Sequence, residues 1–419
     1  MSARGSGAAA VEVDVAIVGG GLVGASLVAA LGASGLKVAL IEGVAADAAR
    51  QPSFDDRTTA LGNGSRRIFE SLGLWDAIGP SSAPIRHIHV SDAGRYGFAR
   101  LDAQALELDA FGFVVTNRVL GGALRARLAA LPALESRMPA RCTAVTVHED
   151  CVELHTDPGG LPLRARLAVA ADGAGSQLRA AAGLAASEED YGQVAVVAHV
   201  LASQPAEGTA YERFTPQGPF ALLPMVGGAW GVVWTLAPAD AQRVLALSDA
   251  QYLAALQQDF GWRAGRFLRV GARSAYPLKL VRAAQVTGQR VALVGNAAQG
   301  LHPVAGQGFN LGLRDAATLA ELLIASRGDG TAVADPGAPA LLADYAARRA
   351  SDRDGMVRFT DGLVKLFGDQ RPGVPWMRDL GLLMFDLSPT AKRAMSRLSW
   401  GFGERPPRLA QGSSRVVGP

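Results

Sequence analysis

The chain has 419 residues, of which 49% are hydrophobic and 19% charged, so it is long enough for two domains with sizeable cores. Its 41 Lys and Arg residues against 38 Asp and Glu residues give a net charge of +3, an excess too small and too dispersed to indicate nucleic-acid binding. The two cysteines, Cys142 and Cys151, lack metal-binding spacing. We therefore predict free buried thiols, no metal site and a cytoplasmic protein.

The chain opens on a strand, a glycine turn and a helix. Residues 15–18 form a short apolar run, and Gly19, Gly21 and Gly24 follow in the G-x-G-x-x-G spacing as the pattern becomes helical. In a dinucleotide-binding βαβ unit these glycines permit a tight turn, close approach to a pyrophosphate and close helix–strand contact. Glu42, at the end of the next strand, is suited to bind ribose hydroxyls. This motif predicts a dinucleotide but leaves NAD and FAD open.

The same stretch carries no charge from residue 15 to residue 36, a pattern that a membrane span would also give. The glycines within it and the strand that follows it favour the βαβ unit instead. We therefore expect no membrane-spanning segment, although attraction to an anionic membrane surface stays open.

Two further motifs lie where apolar strands end. Asp172-Gly173 follows such a strand, where an α/β sheet presents side chains to a ligand, although this dipeptide alone is equally compatible with a simple turn. Residues 289–315 again show a strand, a glycine-rich loop and a long amphipathic helix. Residues 192–236 between these motifs are rich in strand patterns and predict a separate sheet. Arg57 is suited to hold a phosphate or a flavin edge, or to pair with a neighbouring aspartate at the surface.

Together the three motifs resemble the group A flavoprotein aromatic monooxygenases of the p-hydroxybenzoate hydroxylase type. Within that superfamily the sequence is most similar to the ubiquinone-biosynthesis hydroxylases, which act on polyprenylated phenols. The similarity covers nearly the whole chain from residue 11 to about residue 405. Beyond the three motifs it rests on residues 56–61, 116–120, 214–224, 302–315 and 358–363.

The resemblance implies FAD as the cofactor. It implies that Gly19, Gly21, Gly24 and Glu42 bind the ADP moiety, that Arg57 and Arg118 contact phosphate or ribitol, and that Asp172 and Gly173 support the flavin and the reductant. The ribitol and the ring would be surrounded by Asn296, Gly306, Gln307, Gly308, Phe309 and Asn310. The third motif usually begins Gly-Asp in this superfamily, whereas this chain has Gly295-Asn296. Asparagine can still bond a ribitol hydroxyl but removes a negative charge near the flavin.

The implied fold is α/β: a Rossmann-like FAD-binding domain of the glutathione-reductase type, an inserted mixed or antiparallel β-sheet substrate domain, and C-terminal helices. The expected FAD-binding domain is discontinuous, with the substrate domain inserted between its parts. We assign residues 11–76, 113–185 and 268–330 to the FAD-binding domain, 77–112 and 186–267 to the substrate domain, 331–405 to the helical region, and 1–10 and 406–419 to disordered ends.

The implied reaction is hydroxylation of the aromatic ring of a polyprenylated phenol in ubiquinone biosynthesis, through a C4a-hydroperoxyflavin. It would use O₂ and electrons from NAD(P)H or from an electron-donor protein. Because the oxygen-transferring species forms on the cofactor, the protein supplies position, dryness and charge. We expect His302, Pro303 and Gly308 to form the flavin-ring environment without a side-chain nucleophile. Backbone N–H groups from Gly308 to Asn310 would stabilise the reduced flavin anion, and His302 acts either as a proton shuttle or structurally.

Three other functions remain open at this stage: a hydroxylase of small soluble phenols, a flavin reductase or dehydrogenase, and a flavoprotein scaffold in a biosynthetic complex. Two apolar stretches are also ambiguous. Residues 376–387 either dock on a membrane or a partner protein, or pack on the core. The second stretch either covers the ring and tail of the substrate or forms core; its large side chains are Phe214, Phe220, Leu222, Leu223, Trp230 and Trp234.

Overall fold

The computed structural model describes residues 11–45, 48, 53–158, 160–326, 335–399 and 406–411. The strands are β1 (Val11–Val18), β2 (Val38–Ile41), β3 (Thr58–Gly62), β4 (Ala83–Ile85), β5 (His87–Asp92), β6 (Phe98–Asp102), β7 (Gly112–Thr116), β8 (Glu135–Arg137), β9 (Arg141–Val147), β10 (Val152–Asp157), β11 (Leu163–Ala170), β12 (Ala186–Ala202), β13 (Thr209–Thr215), β14 (Gly218–Pro224), β15 (Trp230–Leu236), β16 (Phe267–Val270), β17 (Ser274–Ala283), β18 (Thr287–Gly288), β19 (Val291–Leu293) and β20 (Gln299–Gly300). The helices are α1 (Leu22–Leu31), α2 (Asn63–Ser71), α3 (Trp75–Ile78), α4 (Asn117–Ala129), α5 (Gln177–Ala181), α6 (Pro238–Leu245), α7 (Asp249–Phe260), α8 (Gln307–Ala325), α9 (Pro339–Gly368), α10 (Val374–Leu387), α11 (Pro389–Ser399) and α12 (Arg408–Gln411).

The first sheet is the expected Rossmann-like layer. Its central strands run parallel in the order β19-β11-β1-β2-β8, and β10 and β9 extend it antiparallel from β11. The side chains of β2 are buried throughout because helices cover the sheet, as is usual for parallel strands. Helix α1 starts directly after the glycine turn and contacts α8 from the third motif. Both glycine loops therefore lie at the carboxyl edge of one sheet.

The second sheet has nine strands and is mixed, in the order β20-β17-β12-β15-β14-β13-β5-β6, with β16 beside β12. Its pairs are antiparallel apart from β13 with β5, which run parallel. Helices α6 and α7 cover one face, where Trp234 and Phe220 contact Tyr252 and Phe260. The other face is turned towards the first sheet.

Strand pairing corrects the expected domain boundaries in three places. Strands β16 and β17 pair with β12, so residues 268–283 belong with the larger sheet and not with the FAD-binding domain. Strand β4 pairs with β7, which also pairs with β3, so β4 belongs to a small third sheet and not to the sheet of β5 and β6. Residues 408–411 form helix α12, in which Leu409 and Ala410 are buried against α2, so the expected disorder is wrong there. Residues 1–10 and 412–419 lie outside the described residues.

Helices α8 and α9 are joined by a buried cluster of charges. Asp315 on α8 accepts a hydrogen bond from Arg349 at 2.7 Å and is fully buried. Asp352 forms ion pairs with both Arg349 and Arg314 at 2.7 Å. Asp315 also accepts bonds from the backbone N–H of Gly295 and from the side chain of Gln299. The cluster therefore fixes the start of the third-motif loop as well as the two helices. Within the described residues, no helix is both long and apolar enough to cross a membrane.

We expect Asp315→Asn to lower the free energy of unfolding by about 3–5 kcal/mol, because it leaves buried arginines with one compensating carboxylate fewer. Urea denaturation of the holoprotein measures this loss. The control is Asp344→Asn, which breaks an exposed pair with Arg348 on α9 and is expected to change stability by about 1 kcal/mol or less. Equal losses in the two variants would contradict the importance of the buried cluster.

Candidate functional site

A cavity of about 1260 Å³ lies between the carboxyl edge of the parallel sheet and the inner face of the larger sheet. On one side it is lined by the ends of β1, β2 and β11, and on the other by inward-facing residues of β13, β14 and β15. Helices α9 and α10 close its far end. A crevice at the carboxyl edge of a parallel sheet is the usual ligand site of such folds.

The glycine turn after β1 has the geometry that its spacing predicts. Gly19 has φ +104°, and a Cβ there would collide with the backbone of Ala171 at the end of β11. A Cβ on Gly24 would overlap the carbonyl oxygen of Gly19, so only glycine lets α1 lie this close to the turn. Gly21 precedes α1 with extended backbone and lines the cavity, where a Cβ would lie 3.1 Å from Ser53 Oγ. Unpaired N–H groups at the start of α1 thus face the cavity.

Glu42 lies at the cavity wall beside this turn. One carboxylate oxygen accepts the backbone N–H of Gly20, and the other accepts that of Val44 at 2.9 Å. These bonds fix the carboxylate while leaving lone pairs for further donors. Two such oxygens facing a cavity fit the expected contact with ribose hydroxyls, and their negative charge would repel a 2′-phosphate.

The two predicted arginines lie in different places. Arg57 lines the cavity, donates to Asp55 Oδ1 at 2.9 Å and lies 4.5 Å from the ring centre of Tyr276. Both sequence-based alternatives, a ligand contact and an aspartate pair, are thus compatible with its position. Arg118 instead forms two hydrogen bonds of 2.7 Å with Asp56, is exposed, and is not among the residues lining the cavity. These bonds hold the pKa of Asp56 below its ordinary value.

Asp172 and Gly173 line the cavity at the end of β11. Asp172 Oδ2 accepts the backbone N–H groups of Gln177 and Leu178, and Oδ1 accepts the hydroxyl of Ser176. The carboxylate therefore caps the start of α5. Gly173 has φ +88°, a conformation that favours glycine. The motif is a turn and a cavity wall at once, so the two sequence-based interpretations do not exclude each other.

The loop of the third motif forms the wall opposite β1. Asn296 is exposed towards the cavity, and Gly306, with φ +61°, precedes α8. Gln307, Gly308 and Phe309 also line the cavity. The side chain of Gln307 is buried, yet its Oε1 atom has no hydrogen-bond partner. A buried unpaired oxygen at a cavity wall indicates that a ligand with a donor group belongs there.

Asn310 differs from expectation because it lies behind this wall and not on it. Its Oδ1 atom accepts the N–H of Gly62 at 2.9 Å and the hydroxyl of Ser65 at 2.6 Å. Its Nδ2 atom donates to the carbonyl oxygens of Ala60 and Gly306 at 2.8 and 2.9 Å. These bonds use both the donor and the acceptor groups of the amide. Asn310 therefore joins the loop to the β3–α2 junction.

His302 is also placed behind the cavity wall. It is fully buried, its Nδ1 accepts the N–H of Val304 at 3.1 Å, and its Nε2 faces Gln193 Oε1 at 3.3 Å. Burial lowers the pKa of His302 to about 4, so the ring is neutral at pH 7. Its neighbour Pro303 lines the cavity, but His302 does not. Of the two roles considered, this geometry supports the structural one.

Strand alternation divides the apolar residues of the larger sheet between its two faces. Phe214 and Leu223 line the cavity. The other four large side chains pack under α6 and α7, on the opposite face, and cannot cover the substrate; they are Phe220, Leu222, Trp230 and Trp234.

Two groups of cavity residues were not identified from the sequence. The first is Glu212, which shares the inner face of β13 with Ala210 and Phe214. The alternation of 210, 212 and 214 in the sequence was a signal for it. The second is the apolar inner side of α9 and α10, including Leu363, Phe367, Leu382 and Phe385. Helices α9 and α10 come after the third motif in the sequence, and no local sequence pattern shows that they contact the cavity.

Comparison with known proteins shows the family to which the chain belongs. Residues 12–360 match the family described as FAD binding domain. The chain is 42% identical over 97% of its length to the ubiquinone hydroxylase UbiL of Rhodospirillum rubrum, covering 94% of that protein. It is 33% identical over 93% of its length to the 3-demethoxyubiquinol 3-hydroxylase of Escherichia coli, covering 98% of that protein. Among solved structures, p-nitrophenol 4-monooxygenase PnpA of Pseudomonas putida superposes with a TM-score of 0.77 at 21% identity, covering 94% of this chain and all (100%) of that chain.

FAD, the cofactor of this family, is compatible with the cavity. The glycine turn leaves room for a pyrophosphate, and Glu42 offers hydrogen-bond acceptors for ribose hydroxyls. The unpaired oxygen of Gln307 can accept a hydrogen bond from a ligand near the loop. These groups line one continuous space. The residues present therefore fit an extended dinucleotide.

We expect Gly24→Ala to weaken FAD binding at least tenfold, because its methyl group forces the helix away from the turn. The ratio of flavin to protein absorbance after purification and titration with added FAD measure this change. The matched control is Gly122→Ala in α4, where a Cβ has no neighbour within 4 Å and FAD content should stay normal. Full FAD occupancy in Gly24→Ala would contradict the role of the turn.

Proposed function

The chain belongs to the FAD-binding family that includes the ubiquinone hydroxylases, and we propose that it hydroxylates the aromatic ring of a polyprenylated phenol in ubiquinone biosynthesis. The observation that carries the proposal is the shape of the cavity. A polar half beside the glycine turn, suited to FAD, continues into an apolar half beneath the larger sheet and α10. A phenol with an isoprenoid tail has the size and polarity to occupy that second half.

Bound FAD would accept electrons from a donor and then activate O₂. The chain would position the substrate ring so that it receives one oxygen atom. Asn296, Gln307 and the backbone N–H groups at the start of α8 lie where they would hold the ring end of the cofactor. The positive end of α8 favours negative charge at that place. Pro303, Val304 and the inner face of the larger sheet line this part of the cavity, and an apolar lining that keeps water away protects a hydroxylation reaction from losing peroxide.

Labelled oxygen separates this proposal from its rivals. We expect the purified holoenzyme, given NADH and ¹⁸O₂, to add one labelled oxygen atom to 2-geranylphenol and to act much more slowly on phenol itself. The hydrophobic contribution of about 0.8 kcal/mol per buried CH₂ predicts a preference of at least a hundredfold in kcat/KM. Product mass and initial rates are measured together.

Each rival function gives a different result. NADH oxidation without labelled product would indicate a flavin reductase or dehydrogenase, and equal rates on both phenols would indicate a hydroxylase of small soluble aromatics. A scaffold role would be indicated if the FAD-deficient Gly24→Ala variant still restored ubiquinone synthesis to a deletion strain. The precursor that accumulates in that strain identifies the missing hydroxylation.

Helix α10 supports a finer proposal, that the protein rests on a membrane surface when it takes up its substrate. Polar residues anchor the helix beside its apolar contacts: Arg378 forms a buried pair with Asp92 at 2.8 Å, and Asp379 and Asp386 accept backbone N–H groups of the β5–β6 hairpin. Its outward side carries an apolar stripe of Trp376, Leu380, Met384 and Leu387, which are 59–83% exposed.

An ordinary amphipathic helix has one apolar side, which it buries. Helix α10 places Leu382 and Phe385 at the cavity and carries a second apolar stripe that is exposed. An exposed apolar stripe on an anchored helix is typical of surfaces that contact lipid or protein. Lipid is favoured because the inner side of α10 lines the apolar half of the cavity, so one helix separates the cavity from the exposed stripe. A tail that is dissolved in a bilayer would then reach the cavity without crossing water.

We expect the double variant Leu380→Ser/Met384→Ser to bind vesicles of phosphatidylethanolamine and phosphatidylglycerol at least tenfold more weakly than the wild type. Loss of two side chains that each contribute about 1.5–3 kcal/mol when buried accounts for that change. The control is Trp262→Ser/Leu268→Ser, which removes two exposed apolar residues from the larger-sheet region. Flotation of holoenzyme with vesicles measures binding. Equal loss in both double variants, or none in the first, contradicts the proposal.

A further inference from the structure

The inner face of β13 carries one charged side chain among apolar ones. Ala210, Glu212 and Phe214 alternate along this face and all line the cavity. Ala210 belongs to an apolar cluster with Phe111 and Leu101, and Phe214 to another with Val304 and Phe367. Glu212 lies between these clusters, in the sheet wall opposite the loop of the third motif.

The neighbours of Glu212 offer it no charge. Its partners across the strands are Ala221 on β14 and Val90 on β5, and both line the cavity with it. From α9 the facing residues are apolar, such as Leu363. The charged group of α10 that lines the cavity is Arg378, which Asp92 already neutralises. Among the described residues, Glu212 has neither an ion pair nor a side-chain hydrogen bond.

A carboxyl group in such a place is costly to the fold. Burial raises the pKa of Glu212 to about 8, and no neighbouring charge offsets this effect. The side chain is nevertheless partly exposed, because it faces the open space of the cavity. Since the folded protein holds this proton more tightly than the unfolded chain, the group makes stability fall as pH rises from about 4.5 through about 8. A wall built only for packing would carry an apolar residue at this position.

We propose that Glu212 receives the hydroxyl group of the phenol substrate and takes up its proton as the ring is hydroxylated. The inference rests on the proposed function, since it assigns the polar contact that orients an aromatic ring against the sheet. Pockets for largely apolar ligands usually contain a small number of polar groups that fix orientation. Glu212 is such a group on the sheet side of this cavity.

The proton transfer balances without any further reactant. The ionised carboxylate accepts the phenolic proton, giving a phenolate and a neutral carboxylic acid. The extra electron density of a phenolate makes its ring a better nucleophile towards an electrophilic oxygen. When the hydroxylated ring regains its aromatic form, the carboxylic acid returns its proton to the phenolic oxygen, and the proton lost from the hydroxylated carbon goes to the second oxygen atom of O₂, which leaves as water. A carboxylate whose pKa is raised towards that of a phenol, near ~10, is a stronger base for this step than an ordinary glutamate.

The test compares Glu212→Gln with Glu207→Gln in the FAD-loaded protein. Both changes remove one carboxylate and keep its shape, but Glu207 is exposed in the loop before β13. We expect Glu212→Gln to lower kcat for hydroxylation of 2-geranylphenol about a hundredfold, within the range of general base catalysis. FAD binding should stay normal in both variants, and Glu207→Gln should keep the wild-type rate.

Three readouts distinguish proton transfer from a structural role. The wild-type kcat/KM should rise with pH and level off above about 8, where Glu212 is ionised, and Glu212→Gln should lack this rise. Replacing H₂O by D₂O should slow hydroxylation of 2-geranylphenol more in the wild type than in Glu212→Gln, because only the wild type transfers the phenolic proton to a carboxylate. The methyl ether, 2-geranylanisole, has no proton to give, so its slow turnover should be the same in both proteins.

The results separate this inference from the function on which it rests. Equal kcat, pH profile and solvent isotope effect in wild type and Glu212→Gln would overturn the role of Glu212 while leaving the hydroxylase intact. A wild type that adds no labelled oxygen to any prenylated phenol would overturn the proposed function. In that case binding still decides whether Glu212 receives the hydroxyl group: the wild type should prefer 2-geranylphenol over 2-geranylanisole, and this preference should be reduced in Glu212→Gln. A variant that loses FAD or unfolds is replaced by Glu212→Asp, which keeps the charge and should retain the pH-dependent rise.

Discussion

The site depends on one buried carboxylate, that of Asp315. It is fully buried on α8, where it meets Arg349 of α9 and the backbone N–H of Gly295. A charge in this position is tolerated only because buried arginines and polar groups surround it. The consequence is geometric: the loop of the third motif cannot shift without disturbing both helices. A loop that we propose to hold the flavin ring is thereby fixed from behind by Asp315, which does not line the cavity itself.

The polar residues of the third motif therefore divide into two sets. Asn310 and His302 hold the loop to its neighbours and have their hydrogen-bonding groups occupied. Gln307 and Asn296 face the cavity, and Gln307 keeps an oxygen free. His302 is buried as a neutral ring with a pKa of about 4, so it is poorly suited to transfer protons to and from solvent. If protons move at the substrate, Glu212 has the better position.

Features that depend on residues close together in the sequence could be predicted. The spacing of Gly19, Gly21 and Gly24 is local, so the turn, α1 and the dinucleotide fold followed from it, and the family was correctly identified. Pairing between distant segments could not be predicted. The assignment of β17 to the larger sheet depends on contacts with β12, and the position of Arg118 depends on a surface pair with Asp56. The spacing of the residues around them carries no information on either.

The positions of α10 and Glu212 could not be predicted from their own sequence patterns, because both depend on how polarity is distributed along the cavity. Read alone, α10 is an apolar helix that should be buried, and Glu212 is a charged residue that should be exposed. In the fold, Arg378 anchors α10, an apolar stripe of this helix stays exposed while Leu382 and Phe385 line the cavity, and Glu212 faces an internal space. Neither the exposed stripe nor the enclosed carboxyl group stabilises the fold. Both become understandable for an amphipathic substrate, since a hydroxylated ring needs one polar contact inside and its hydrocarbon tail needs an apolar path towards lipid.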